Sequence, residues 1–141
     1  MDNALISARQ RLLDGGYTCV VLQNGEEYTS VERGVKPLIA FLQSGKAFAG
    51  SVAADKTVGA GAAHLYVLLG VRSLWANVIS TSALEILQNS GIDASYGECV
   101  PHIINRRGDG ICPIESAVNG AKTSEEAYSL ILDALARLGA K

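Results

Sequence analysis

Leu5, Ala8 and Leu12 recur at helical spacing, which puts one apolar stripe on a first helix. The stripe stops at Asp14-Gly15-Gly16, where glycine can supply a left-handed cap. Tyr17 to Gln23 is rich in β-formers, Asn24-Gly25 is a two-residue hairpin signal, and Glu26 to Val31 can return antiparallel. Val35, Leu38, Ile39 and Leu42 form a second stripe around Pro37 and predict a short helix ending at Ser44-Gly45. Ala47 to Ala54 is small and apolar with no polar alternation, the pattern of a central strand covered on both faces. Asp55 reads as the end of that strand and the cap of a helix running to Leu69, closed by Gly70. Leu74 to Ile79 predicts another buried strand, and Ser80-Thr81-Ser82 supplies caps for a helix through Gln88, with Ser82 and Glu85 at capping-box spacing. A last strand is placed at Val100 to Asn105, with a loop from Arg106 to Gly110. Cys112 then caps a short helix with Pro113 at its first position, and Thr123 with Glu126 opens a final helix. In that helix Ala127, Leu130, Ile131, Ala134, Leu135 and Leu138 give the cleanest amphipathic pattern in the chain.

Strands alternating with helices make this an α/β chain. Its 141 residues carry no repeat, low-complexity tract or linker, so residues 1–141 are expected to form one domain. Hydrophobic residues are 48% and charged residues 18%, which is globular and apolar enough to permit a homo-oligomer. A net charge of −2 provides no bulk field for nucleic acid or an anionic membrane. No apolar run reaches the ~18 residues of a membrane span, and the first residues lack a basic leader, so a cytoplasmic location is expected. Three cysteines, Cys19, Cys99 and Cys112, show no C-x-x-C spacing, which argues for reduced thiols over a disulfide framework or a structural zinc knot.

Ligands of open α/β sheets bind outside the carboxyl ends of the strands, where helix N-termini point free amides. On this reading those ends carry Asp55 and Lys56, then Ser80 and Thr81, then Asn105, Arg106 and Arg107. Capping alone explains an aspartate at Asp55. Lys56 in a first helical turn would oppose the helix dipole and so points to an anion or to Asp55. Gly59 and Gly61 would each cost about 1 kcal/mol in a helix, which calls for close approach of a ligand or of neighbouring packing. Cys112 at a helix start would have its thiolate favoured, with Glu115 three residues on as either a capping partner or a proton acceptor. Against that, free cysteines are more often buried hydrophobes than nucleophiles. His64 and His102 have no second ligand at motif spacing and read as structural or surface residues.

The element order, the segment Asp55-Lys56-Thr57-Val58-Gly59-Ala60-Gly61-Ala62-Ala63, and Asn105-Arg106-Arg107 through Cys112-Pro113-Ile114-Glu115 resemble an uncharacterised domain-of-unknown-function family with a cytidine deaminase-like fold. The resemblance implies a three-layer α-β-α domain whose mixed five-stranded sheet carries helices on both faces. Zinc deaminases hold their metal with H-x-E or C-x-E and P-C-x-x-C elements. Neither occurs here: the matching positions are Gly34-Val35-Lys36-Pro37 and Asp55-Lys56-Thr57-Val58-Gly59. No cofactor is therefore expected. Three functions remain open: a metal-independent site for a small molecule such as a nucleotide or another anionic metabolite, a thiol enzyme using Cys112 with Glu115 or Asp55, and a non-catalytic oligomeric regulatory module.

Overall fold

In the computed structural model, which describes residues 3–32, 34–104, 108 and 110–139, the hairpin forms where Asn24-Gly25 predicts it. Asn24 (φ 51°) and Gly25 (φ 81°) both take the left-handed conformation, and the turn joins β1 (Cys19–Gln23) to β2 (Glu26–Ser30). Before it lies α1 (Asn3–Gly15). After it come α2 (Lys36–Gln43), β3 (Val52–Val58), α3 (Ala60–Leu69), β4 (Ser73–Ser80), α4 (Thr81–Asn89), β5 (Asp93–Val100), α5 (Pro113–Ala117) and α6 (Ser124–Gly139). The strands make one mixed sheet in the order β2-β1-β3-β4-β5. The pairs β1–β2 and β1–β3 are antiparallel, while β3–β4 and β4–β5 are parallel and crossed over by α3 and α4.

Side-chain alternation along the strands divides the core between two layers. Leu5, Ala8 and Leu12 of α1 pack with Val20, Val52, Ala54 and Trp75 on one face. The intervening residues Cys19, Val21, Ala53, Leu74 and Ala76 face the other way, against α2, α3, α4 and α6. Helices thus cover both faces of the sheet. The predicted stripe of α6 is realised in Ala127, Ile131 and Ala134, all buried.

Two strands lie elsewhere than the hydrophobic pattern places them. The run Ala47 to Ala54 is interrupted by Gly50 (φ 80°) and by a turn in which the Ser51 N–H donates to the Phe48 carbonyl. The strand begins only at Val52 and continues past Asp55 and Lys56 to Val58. The last strand ends at Val100 instead of starting there, because it is the edge of the sheet. Its exposed Asp93, Tyr96, Gly97 and Glu98 give no apolar alternation to read. Beyond it, Ile104 pairs with Ile111 in an isolated antiparallel bridge.

Candidate functional site

The extension of β3 corrects the reading of Asp55 and Lys56 as a helix opening. Both belong to the strand, and α3 is opened instead by Gly59, which supplies no side-chain cap. Asp55 lies in register between Cys19 of β1 and Ala76 of β4 and is 7% exposed. A carboxylate there needs donors, and it has them. The Tyr66 hydroxyl of α3 donates to Oδ2 at 2.6 Å, and the Thr57 N–H donates to Oδ1 at 3.2 Å. The Cys19 sulfur lies 3.3 Å from the same hydroxyl. Burial lifts the Asp55 carboxyl from an ordinary 3.8 to about 7, while the hydrogen bonds from Tyr66, Thr57 and the Lys56 backbone pull it back. Burial likewise raises the Cys19 thiol and the Tyr66 hydroxyl. Lys56 is exposed and in extended backbone, its N–H bonded to the Thr18 carbonyl at 3.0 Å, so the helix-dipole argument for an anion beside it does not apply.

At the carboxyl ends of the parallel strands the groups brought together are different ones. Ser80, the first residue of the predicted capping run, caps α4 with its Oγ accepting the Ala83 N–H at 3.2 Å. Ser82 lies inside the helix and so is not the cap that its spacing from Glu85 suggests, and Thr81 donates to the Pro101 carbonyl at 3.4 Å. Cys112 caps α5 through its backbone only: its own N–H donates to the Ile103 carbonyl at 2.8 Å. One turn later Glu115 reaches back to the same residue. Its Oε2 accepts the Ile103 N–H at 2.6 Å, and its Oε1 accepts the Ser82 hydroxyl at 3.3 Å. The Ser82 hydroxyl is also 3.3 Å from that of Ser80. Glu115 is 7% exposed, and its carboxylate is held by α4 through Ser82 and by the segment after β5 through Ile103.

The two glycines before this carboxylate are explained by side chains approaching them. A Cβ on Gly59 would lie 3.1 Å from Ile103 Cγ1 and 3.5 Å from the Glu115 carboxyl carbon. On Gly61 it would lie 2.6 Å from Ile114 Cγ2. Glu115 and Ser82 form part of the wall of an open pocket of about 640 Å³, which His64, His102, Ser116 and Ser124 also line. His64 is 8% exposed, its Nδ1 is 3.0 Å from the Ser124 Oγ, and burial lowers its pKa below the ordinary 6.5. Asp55, Lys56, Ser80, Thr81 and Cys112 do not line this pocket, and Ser80 is fully buried. Along β3, Asp55 precedes Gly59 by four residues, about 13 Å at ~3.3 Å each. Asn105 and Arg106 fall outside the described residues.

Sequence reading missed the Ser82–Glu115 and His64–Ser124 pairs, since neither has a motif spacing. The available signal was a polar residue in each of two apolar settings: His64 within Ala62-Ala63-His64-Leu65-Tyr66, and Glu115 in a short helix that packs on Gly59 and Gly61.

A zinc ion of the deaminase kind would need thiolate or imidazole donors where α2 and α3 begin. Those positions hold Val35, Lys36 and Pro37, and Gly59, Ala60, Gly61, Ala62 and Ala63. These residues do not fit the metal, and among the described residues no three His, Cys, Asp or Glu side chains cluster to hold one. Nor, among those residues, is any helix long and apolar enough to cross a membrane.

Residues 7–135 match the family described as Domain of unknown function (DUF1893). The crystal structure of a DUF1893 family protein from Thermotoga maritima is similar to 94% of this chain and 90% of that one, with 26% identity and a TM-score of 0.87. Weaker similarity is found to two deaminases. For the diaminohydroxyphosphoribosylaminopyrimidine deaminase/5-amino-6-(5-phosphoribosylamino)uracil reductase of Thermotoga maritima it covers 67% of this chain and 35% of that one, at 12% identity and a TM-score of 0.44. For the apo dCMP deaminase of cyanophage S-TIM5 it covers 68% and 99%, at 14% identity and a TM-score of 0.46. No curated protein matches the chain.

Proposed function

We propose that this chain, which belongs to the DUF1893 family, binds a small polar metabolite in the strand-end pocket through protein groups alone. The observation that carries the reading is Glu115: a buried carboxylate, fixed by Ile103 and Ser82, in the wall of a cavity of about 640 Å³. A carboxylate has about four acceptor positions, and these two donors use two of them, which leaves capacity for donors on a ligand. The cavity lies within the range of roughly 300–1,000 Å³ typical of small-molecule sites. One end of it, at Ser82 and Glu115, lies outside the ends of the parallel strands, where such sites form in open α/β sheets, and from there it runs along α4 to Asn89 and Ser90. His102 and Lys122 on the same wall are donors suited to a phosphate or carboxylate, so nucleotides and other anionic metabolites belong in the first panel.

The test is thermal stabilisation by a panel of nucleosides, nucleotides and small organic acids, repeated on N119W. Asn119 is exposed and lines the pocket without taking part in the Glu115 contacts. A ligand at a hundred times its Kd should stabilise the protein by ~2.7 kcal/mol, and the tryptophan should abolish the effect. No stabilisation across the panel, or stabilisation that N119W leaves intact, overturns the reading.

A further inference from the structure

We propose that Ser124 and His64 form a nucleophile and base pair that cleaves small carboxylic esters in this pocket, an inference that rests on the pocket being a binding site. The Ser124 Oγ and His64 Nδ1 are 3.0 Å apart, within reach for proton transfer, and both residues line the cavity. They come from different helices, α6 and α3, which pack together across the Ala127 and Ile131 face. Burial disfavours the charged His64 ring, and in the neutral ring with its proton on Nε2 the Nδ1 has a lone pair for the serine proton.

Helix capping does not require the Ser124 hydroxyl. Thr123 caps α6: its Oγ1 accepts the Glu126 N–H at 3.1 Å, and its carbonyl accepts the Ala127 N–H at 3.0 Å. The N–H groups of Ser124 and Glu125 belong to the first turn, where backbone donors have no intrahelical acceptor. They flank the nucleophile, and in the proposed reaction they would be the donors to the oxyanion.

The reaction balances with water as the only co-reactant. The Ser124 Oγ bonds to the ester carbonyl carbon as its proton passes to His64 Nδ1 and the carbonyl π pair moves to oxygen. Collapse re-forms the C=O bond and breaks the bond to the alkoxide, which leaves with the proton from Nδ1. Water then attacks the acyl-serine, gives its proton to Nδ1, and releases the acid as that proton returns to Ser124.

The experiment treats the full chain with a fluorophosphonate probe, whose fluoride is displaced by an activated serine, and maps the adduct by peptide mass spectrometry. Hydrolysis of p-nitrophenyl acetate is followed in parallel. The expected result is one adduct, on Ser124, lost in S124A. In H64N the amide can keep the hydrogen bond to Ser124 but cannot take its proton. Labelling and hydrolysis should then fall at least ~100-fold while the melting temperature stays near that of the wild type. Label spread over exposed serines such as Ser116, or wild-type labelling of H64N or of H64Q, overturns the proposal. A metabolite that binds in the pocket while Ser124 stays unlabelled overturns the dyad and leaves the binding reading intact.

Discussion

The Tyr66 hydroxyl donates to Asp55 Oδ2 at 2.6 Å, joining a helix to the strand beneath it through two buried side chains. The contact makes Asp55 part of the core on the α3 side of the sheet, remote from the strand-end pocket.

Because burial lifts Asp55 to about 7 in the folded chain against an ordinary 3.8, the folded state holds the extra proton between those values. Unfolding free energy contributed by this group is then fully present below pH 3.8, falls as pH rises through about 7, and levels off above it. The expected fall is a few kcal/mol. In D55N this component disappears, so the difference in urea stability between wild type and variant should change across pH 4.5 to 8. A difference that stays flat over that interval would show that Asp55 titrates as it does in the unfolded chain.

Glu115 should matter to the segment after β5 more than to the sheet. Replacing it with alanine leaves the half-buried Ile103 N–H without its acceptor, at an expected cost of about 1–3 kcal/mol. Hydrogen exchange is the sharper measurement. The Ile103 amide should exchange faster in E115A, while the amides of β3 and β4 keep their protection.

Gly61 should resist a residue that its helix would otherwise welcome. Alanine is about 1 kcal/mol better than glycine inside a helix, but here its Cβ would meet Ile114 Cγ2 at 2.6 Å and lie 3.5 Å from Ile131 Cδ1. Overpacking costs about 1–3 kcal/mol, so G61A should be destabilised on balance. In a double-mutant cycle with I114A the two losses should be less than additive.

The three thiols should separate by accessibility. Cys19 is buried and its thiol is raised, whereas Cys99 and Cys112 are half-buried. Brief iodoacetamide treatment at neutral pH should add at most two labels to the native chain and three in denaturant, read by intact mass. A third label acquired under native conditions would mean that the Cys19 layer opens readily.

What could be read in the sequence depended on whether the deciding interaction was local. The Asn24-Gly25 turn, the Ser80 cap and the Thr123 cap each act within a few residues, and each is found where expected. The order of helices and strands also follows from periodicity, and with it the α/β class. Asp55 was misplaced because an aspartate before small residues matches a helix start. The β-branched Thr57 and Val58 after it, and Gly59, were the signs that the strand continues. β5 was misplaced because an edge strand exposes its polar side chains and so imitates a loop. The candidate site was legible only in part: Glu115 lies in the pocket wall while Ser80 and Thr81 stand at the end of β4 outside it, and Ser82, His64 and Ser124 enter through contacts 33 and 60 residues apart in sequence.

The strand order carries a consequence for how the molecule is made. β2 pairs with β1, β3 with β1, β4 with β3 and β5 with β4, so every strand after β1 has a partner earlier in the chain. During synthesis from the amino end, each strand after β1 emerges onto a template that already exists, while β1, β3 and β4 each keep one edge open until the next partner follows. α5 and α6 arrive after the sheet is complete, and Ala127 and Ile131 of α6 close the layer over α3. A growing chain can therefore lay down its sheet in translation order and seal it with α5 and α6.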